Sequence, residues 1–143
     1  MKPIPLSAFA LAFSALTAVT LGAQHVFVVD ANGGGSHTTV QAAVDAAVDG
    51  DWILIRSGTY NERVQIEGKS LWLHGTNPPP RLSWLLWTKH PDGKTSRISN
   101  MTLGAPYFVP LLAVSGSGSI LADKVQFRIP GTSFDLTGSV SLR

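Results

Sequence analysis

The spacing of apolar residues changes near residue 50, from a helical period to a period of two. Before that point apolar residues recur at the i, i+3, i+4 and i+7 spacing of one helical face, at Val40, Ala43, Val44 and Ala47. We predict an amphipathic helix over about 38–48, with Val48 on the same face. Ser36 or Thr38 can cap its start, and Asp49-Gly50 ends it. About three turns of helix are too few to be stable without packing on another element.

Short apolar or alternating segments indicate β-strands after residue 50 and once before the helix. The turns between them contain glycine and are too short for helical crossovers. The chain is therefore either a meander of hairpins or a chain that winds continuously in one direction. Residues 76–97 include three consecutive prolines and give no clear pattern. The predicted strands cover residues 26–29, 52–55, 63–66, 71–74, 98–103, 111–114, 120–121, 125–129 and 139–142.

A weak internal repeat favours the winding chain. Residues 98–103 resemble residues 121–127, because each segment has an apolar residue, a short polar residue two positions later, and then an apolar-polar-apolar triplet. The polar residues are Asn100 and Asp123, and the triplets begin at Met101 and Val125. Repeats of roughly 20–30 residues with short strands and polar corners are typical of solenoids. Asn100-Met101-Thr102 also fits a glycosylation acceptor, although a coil corner explains it more simply.

The segment 1–23 has the order of a secretory signal peptide. A basic start with Lys2 precedes an uncharged apolar run over 8–21, and Gly22-Ala23 then provides small residues for cleavage. This run is shorter than the ~20 residues that span a bilayer as a helix. We predict a signal peptide over 1–23 and a mature domain over 24–143 without a membrane span. The mature protein is expected to be secreted, periplasmic or on the cell surface.

The composition of the mature chain excludes several functional classes. Removal of Lys2 with the signal leaves 10 basic against 9 acidic residues, and a chain so near neutrality lacks the positive surface of a nucleic-acid binder. The absence of cysteine excludes disulfides, thiolate nucleophiles and cysteine-linked lipid anchors. A mature chain over 24–143 is long enough for one domain of modest size and not for two.

Residues 26–75 carry a family resemblance. Thr38-Thr39-Val40-Gln41-Ala42-Ala43-Val44-Asp45-Ala46-Ala47 is followed by Gly50-Asp51, Ile53-Leu54-Ile55 and Gly58-Thr59-Tyr60-Asn61-Glu62. This order resembles the opening of pectin-lyase-like right-handed parallel β-helix proteins, especially pectin methylesterases, with Ser57 in place of the usual proline. The resemblance implies an all-β fold, a short right-handed parallel β-helix (a solenoid), with an N-terminal amphipathic capping helix. It also implies a structural family motif made of Gly58, Thr59, Tyr60 and Glu62.

The sequence predicts no comparable cap at the other end of the β-helix. Residues 139–143 are themselves strand-like, and an uncovered last coil exposes unpaired backbone groups and apolar core to water. We therefore expect an incomplete or short β-helix domain over 24–143, which is either a truncated product or associates with a partner. Self-association through the uncapped C-terminal coil is one form of this expectation.

Motifs for catalysis are missing from the sequence. The resemblance places the catalytic aspartates, glutamines and arginine of methylesterases in later motifs similar to QAVA, DFIFG and LGRPW, and this chain contains none of them. The histidines lack the spacing of metal ligands; they are His25, His37, His74 and His90. We therefore predict no catalytic residue, metal or cofactor for this chain, and the balance of these observations is against enzyme activity.

The tryptophans provide the candidate contact residues. Trp52 and Trp72 lie in predicted strands and are expected to be partly in the core. If residues 81–87 form a strand, Trp84 and Trp87 point to opposite faces, so one of them is exposed or covered by a partner. An exposed tryptophan beside Arg81 can stack on a sugar ring or fill an oligomer contact.

These observations lead to a functional prediction with open alternatives. The preferred interpretation is a secreted noncatalytic or catalytically incomplete β-helix module, with a structural role or a role in binding polysaccharide or cell-surface glycan. The alternative is the N-terminal fragment of a secreted carbohydrate-active enzyme, similar to a pectin esterase or lyase, whose catalytic coils are absent here. A third possibility is an adhesion domain of the β-sandwich type, which antiparallel strand pairing would indicate.

Overall fold

The computed structural model of the chain describes residues 23–104, 112–129 and 132–141. The predicted signal peptide therefore lies almost entirely outside the described residues. No helix in the described ranges combines the length and apolar character required to cross a membrane. The elements are β1 (Val26–Val29), α1 (Val40–Ala46), β2 (Trp52–Ile55), β3 (Thr59–Glu67), β4 (Trp72–Gly75), β5 (Arg81–His90), β6 (Thr95–Gly104), β7 (Leu112–Gly116), β8 (Ser119–Ile129) and β9 (Thr132–Ser141).

The strands form an all-β parallel solenoid of about 4 turns with one short helix. The winding is of the right-handed type. All pairings among β1 to β8 are parallel, so this part of the described chain winds in one direction and forms neither a meander nor a sandwich. The prediction of a solenoid is confirmed at this level.

The solenoid has three sides. The first side contains β1, β2, β4 and the first parts of β6 and β8, paired in that order. The second side contains the first residues of β3 and β5 and the later parts of β6 and β8. The third side contains the remainder of β3 and β5 together with β7. Alternate residues point inward, and the stacked inward residues of the first side include Ile53, Leu73, Ile98 and Ala122.

A corner after the first side explains the internal repeat. Asn100 and Lys124 both have positive φ, 51° and 53°, and so occupy equivalent corners of successive coils. Ser99 pairs with Asp123, so the repeat predicted from sequence aligned Asn100 one residue off its structural counterpart. Asn100 Nδ2 donates to the carbonyl oxygens of Gly75 and Thr76, at 2.9 and 3.0 Å. The side-chain amide of Asn100, which is the acceptor group of the predicted glycosylation motif, therefore already makes hydrogen bonds that stabilise the corner.

The helix exists but is shorter than predicted. The Thr39 side chain accepts a hydrogen bond from the amide of Ala42 at 3.3 Å, so Thr39 is the N-cap, in place of Ser36 or Thr38. At the other end Ala47 is already extended, with φ −75° and ψ 152°. The chain therefore leaves the helix before Val48, whose side chain is 59% exposed. The placement of Val48 on the buried face was wrong for this reason.

Side chains of the β3 coil hold both ends of α1. The Glu62 carboxylate accepts hydrogen bonds from the amides of Val40 and Gln41, at 2.8 and 2.9 Å. At the other end Lys69 Nζ donates to the carbonyls of Val44 and Ala47, at 2.9 and 2.8 Å. These groups satisfy amides and carbonyls that a helix leaves free at its termini, and their charges oppose the helix dipole.

The strand edges near α1 are also occupied. The Gln41 side chain makes the two hydrogen bonds that a neighbouring strand would make to Gln65. Its side-chain oxygen accepts from the backbone amide of Gln65 at 2.7 Å, and its side-chain nitrogen donates to the backbone carbonyl of Gln65 at 3.1 Å. On β1, the amide of Val28 donates to Ser36 Oγ at 3.0 Å, and its carbonyl accepts from the amide of His37 at 3.1 Å. Such coverage protects backbone groups that would otherwise be open to another chain.

The C-terminal end of the described chain differs from the expected open coil. Residues 139–141 of the strand predicted over 139–142 form the end of β9, and residue 142 lies outside the described residues. β9 runs antiparallel along β8 from Ile129↔Thr132 to Ser119↔Ser141. The last parallel strand of the first two sides therefore has a hydrogen-bonded neighbour. Self-association through this end stays a prediction.

Candidate functional site

The three contact residues predicted from sequence lie in different environments. Trp87 is fully buried, and its Nε1–H donates to the Lys69 carbonyl at 2.8 Å. Trp84 is half-buried beneath the Arg63 guanidinium, which lies 3.9 Å from the ring centroid. Arg81 is exposed at the start of β5. Trp84 is thus less buried than Trp87 but still packs against the core cluster, and the ligand role of the trio stays a prediction.

The residues of the proposed family motif contact backbone rather than an open site. The Tyr60 hydroxyl donates to the Arg56 carbonyl at 3.0 Å, and burial raises the pKa of Tyr60 above its usual value. Glu62 binds the first amides of α1. Gly58 and Thr59 are exposed where the chain enters β3. These positions fit the structural role that the sequence suggested for the motif.

An aromatic pair on the outer surface of the first side was not predicted. Trp52 and Trp72 are register partners on β2 and β4, and their rings lie 4.6 Å apart at 43°. Both are half-buried, whereas their strand neighbours Ile53 and Leu73 are inside the core. The tryptophans were expected to be partly in the core; their burial comes instead from packing against each other on the outside.

Polar side chains flank this aromatic pair. His74 Nδ1 lies 2.7 Å from Ser99 Oγ, and an Arg97 nitrogen lies 3.6 Å from an Asp123 carboxylate oxygen. A cavity of about 240 Å³ is lined by Trp52 and these four polar residues. We call the whole region, Trp52, Trp72, His74, Arg97, Ser99 and Asp123, the Trp52–Trp72 surface.

The order of the polar residues limits the chemistry of this surface. The parallel register runs from His74 to Ser99 to Asp123, so the serine lies between the histidine and the carboxylate. A hydrolytic triad needs the histidine in the middle, and this arrangement therefore does not form one. Within the described ranges, no three His, Asp or Glu residues are grouped so that they could hold a metal ion. The arrangement instead offers aromatic rings for packing and several groups for hydrogen bonds.

Comparison of the chain with protein-family models, with curated proteins and with solved structures finds no match. The family resemblance of residues 26–75 therefore stays a prediction from sequence. The solenoid fold has separate support, because it follows from the pairing of the strands. The geometry of the surface is consequently the basis for a functional proposal.

Proposed function

We propose that this chain is a secreted, noncatalytic β-helix module that binds polysaccharide or cell-surface glycan through the Trp52–Trp72 surface. The observation that supports this most is the pair of tryptophans on the outer side, 4.6 Å apart and bordered by His74, Arg97 and Asp123. Tryptophan provides a large apolar area with a polar edge, which suits the apolar ring faces of sugars. The neighbouring charged and polar groups suit their hydroxyls.

The rigidity of the scaffold supports binding at this surface. Each residue of the pair lies on a strand with hydrogen-bonded neighbours on both sides, so the rings are held before a ligand arrives. Preorganised contacts reduce the entropy lost on binding. The near neutrality of the chain also fits recognition by shape and hydrogen bonds more than by long-range charge.

The proposal predicts that a Trp52→Ala/Trp72→Ala variant loses glycan binding. Loss of a central aromatic contact costs about 2 kcal/mol or more, so affinity is expected to fall at least ~30-fold. The measurement is a pull-down and calorimetric titration with a panel of insoluble and soluble polysaccharides. Trp84→Ala alters the half-buried tryptophan of the third side and is the matched comparison. Binding like the parent chain is expected if the ligand lies on the Trp52–Trp72 surface, whereas a loss confined to Trp84→Ala would assign binding to the trio predicted from sequence.

Two results would contradict the proposal. Equal affinities for the double variant and the Trp84→Ala control would remove the Trp52–Trp72 surface from consideration. Turnover of a polysaccharide by the chain would overturn its noncatalytic character and favour the alternative, in which the chain is part of a secreted carbohydrate-active enzyme. The intact mass of the protein secreted by its source organism distinguishes that alternative from a short module.

We also propose that α1 is the N-terminal cap of a pectin-lyase-like β-helix. Its buried residues Val40, Ala43 and Val44 join the core, and the terminal repeats of solenoids need such covering elements. Glu62 and Lys69 hold the helix from the first full coil. The helical spacing of the buried residues at i, i+3 and i+4 and the position of Glu62 in the sequence motif support this assignment.

Glu62→Ala is expected to lower the free energy of unfolding by about 2 kcal/mol, because two charge-assisted hydrogen bonds to the helix are lost. Chemical denaturation with circular dichroism measures this change. Glu67→Ala is the control. Among the described residues its carboxylate bonds only to Lys89 on the surface, at 2.6 Å, and exposed ion pairs contribute about 0–1 kcal/mol. A loss in Glu62→Ala no larger than in the control would contradict the capping role.

A further inference from the structure

A second cavity lies between α1 and the outer surface of β3. Its volume is about 390 Å³, within the range of small-molecule sites, roughly 300–1,000 Å³. We call it the Arg63 cleft, and it is separate from the Trp52–Trp72 surface because it lies on the third side. Its lining residues are Gln41, Val44, Asp45, Arg63, Gln65, Glu67 and Lys69.

Most charged groups in the Arg63 cleft already have partners. Lys69 donates to helix carbonyls, and Asp45 Oδ1 accepts from Gln41 Nε2 at 2.7 Å. Glu67 bonds to Lys89 at 2.6 Å, and this hydrogen bond holds the pKa of Glu67 below its usual value. Both members of that pair are therefore charged near neutral pH, and Lys89 offsets the negative charge of Glu67.

Arg63 is different, because its guanidinium has no hydrogen-bond acceptor among the described residues. Its central carbon lies over the Trp84 ring, 3.9 Å from the ring centroid, and this cation–π contact restricts its position. A guanidinium presents a planar fork of donors that matches a carboxylate. Gln65 follows two residues later on the same outward side of β3 and adds a side-chain amide to the cleft wall.

We propose that the Arg63 cleft binds a small molecule bearing a carboxylate. The carboxylate pairs with the guanidinium of Arg63, while the Gln65 amide bonds to a neighbouring polar group of the ligand. With Glu67 offset by Lys89, the remaining formal charges of Arg63, Lys69 and Asp45 sum to +1, which favours an anion. Trp84 positions Arg63 and does not itself contact the ligand.

The test is a titration of the ¹⁵N-labelled chain with succinate at constant ionic strength, following the Nε–H resonance of Arg63 by NMR. A saturable shift is expected.

Arg63→Lys keeps the positive charge but loses the planar fork of donors of the guanidinium. The dissociation constant for succinate should rise about tenfold, equivalent to one charge-assisted hydrogen bond. In that variant the backbone amide of Gln65 reports binding. Trp84→Leu should weaken binding by releasing the guanidinium.

Matched controls make the result specific. Succinamide has the shape of succinate without its charge and should cause no saturable shift. Arg128→Ala removes an exposed arginine outside the cleft lining and should leave the affinity unchanged. A shift that increases linearly with succinate, or an equal dissociation constant in Arg63→Ala followed at Gln65, would overturn the proposal. Neither result depends on whether the Trp52–Trp72 surface binds glycan.

Discussion

Trp87→Ala is expected to lower the free energy of unfolding by about 3–5 kcal/mol, the range for truncating a large aromatic residue in a core. Trp87 is fully buried, so the substitution leaves a cavity that the fixed coils above and below cannot close. It also removes the hydrogen bond from Nε1–H to the Lys69 carbonyl at a corner next to the helix. Urea denaturation followed by circular dichroism measures the change.

Two variants separate the causes of this loss. Trp84→Ala changes the same residue type on the same strand, but its side chain is only half-buried, so a loss below about 2 kcal/mol is expected. Trp87→Phe retains most of the apolar area and removes the hydrogen bond, so its effect should be intermediate. Equal losses for Trp87→Ala and Trp84→Ala would mean that Trp87 does not anchor the core as described.

The sequence predicted the first coils well because their signals are local. The helical spacing around Val40 and Val44 located α1 to within a few residues, and the apolar run after Gly50 located β2. The choice between a meander and a winding chain required the weak repeat, because strand direction is set by distant partners. Parallel pairing in the structure decided that question.

The region 81–90 was unclear because a corner interrupts its alternation. Leu82 and Leu85 both point inward, although a continuous strand would place them on opposite faces. The register between β3 and β5 shifts between Tyr60 and Arg63, where the chain passes from the second side to the third. A single pattern of period two cannot describe a strand that turns in this way.

The Trp52–Trp72 surface depends on register, which the sequence did not specify. Along the ladder of the first side, the step from Trp72 to Arg97 is longer in sequence than the step from Trp52 to Trp72. Most of the difference arises at the corner after the third side, because Thr88 is farther in sequence from Arg97 than its register partner Glu67 is from Trp72. Because coil length varies at the corners, only the paired strands show which outward residues become neighbours.

Gly75→Ala is expected to cost about 3 kcal/mol or more, at or above the upper end of typical overpacking effects. Gly75 ends β4 and is buried against the next coil. A Cβ atom there would overlap the carbonyl oxygen of Asn100 and the ring of Pro80. The first obstacle is backbone, at the corner where Asn100 Nδ2 also bonds to Gly75 and Thr76, so relief requires movement of two coils together.

Gly68→Ala is the matched control for this steric argument. Gly68 has a positive φ of 62°, but a Cβ atom there would meet nothing within 4 Å, so the cost is conformational, about 1–2 kcal/mol. Thermal unfolding of both variants should therefore show a clearly larger loss for Gly75→Ala. Similar losses would mean that the corner yields easily and that successive coils are less tightly stacked than the contacts of Gly75 indicate.

Disruption of the corner at Asn100 should also speed hydrogen exchange in Gly75→Ala. The amides expected to exchange faster are those of Arg81 and Thr102, which donate to the carbonyls of Gly58 and Pro80 beside this corner.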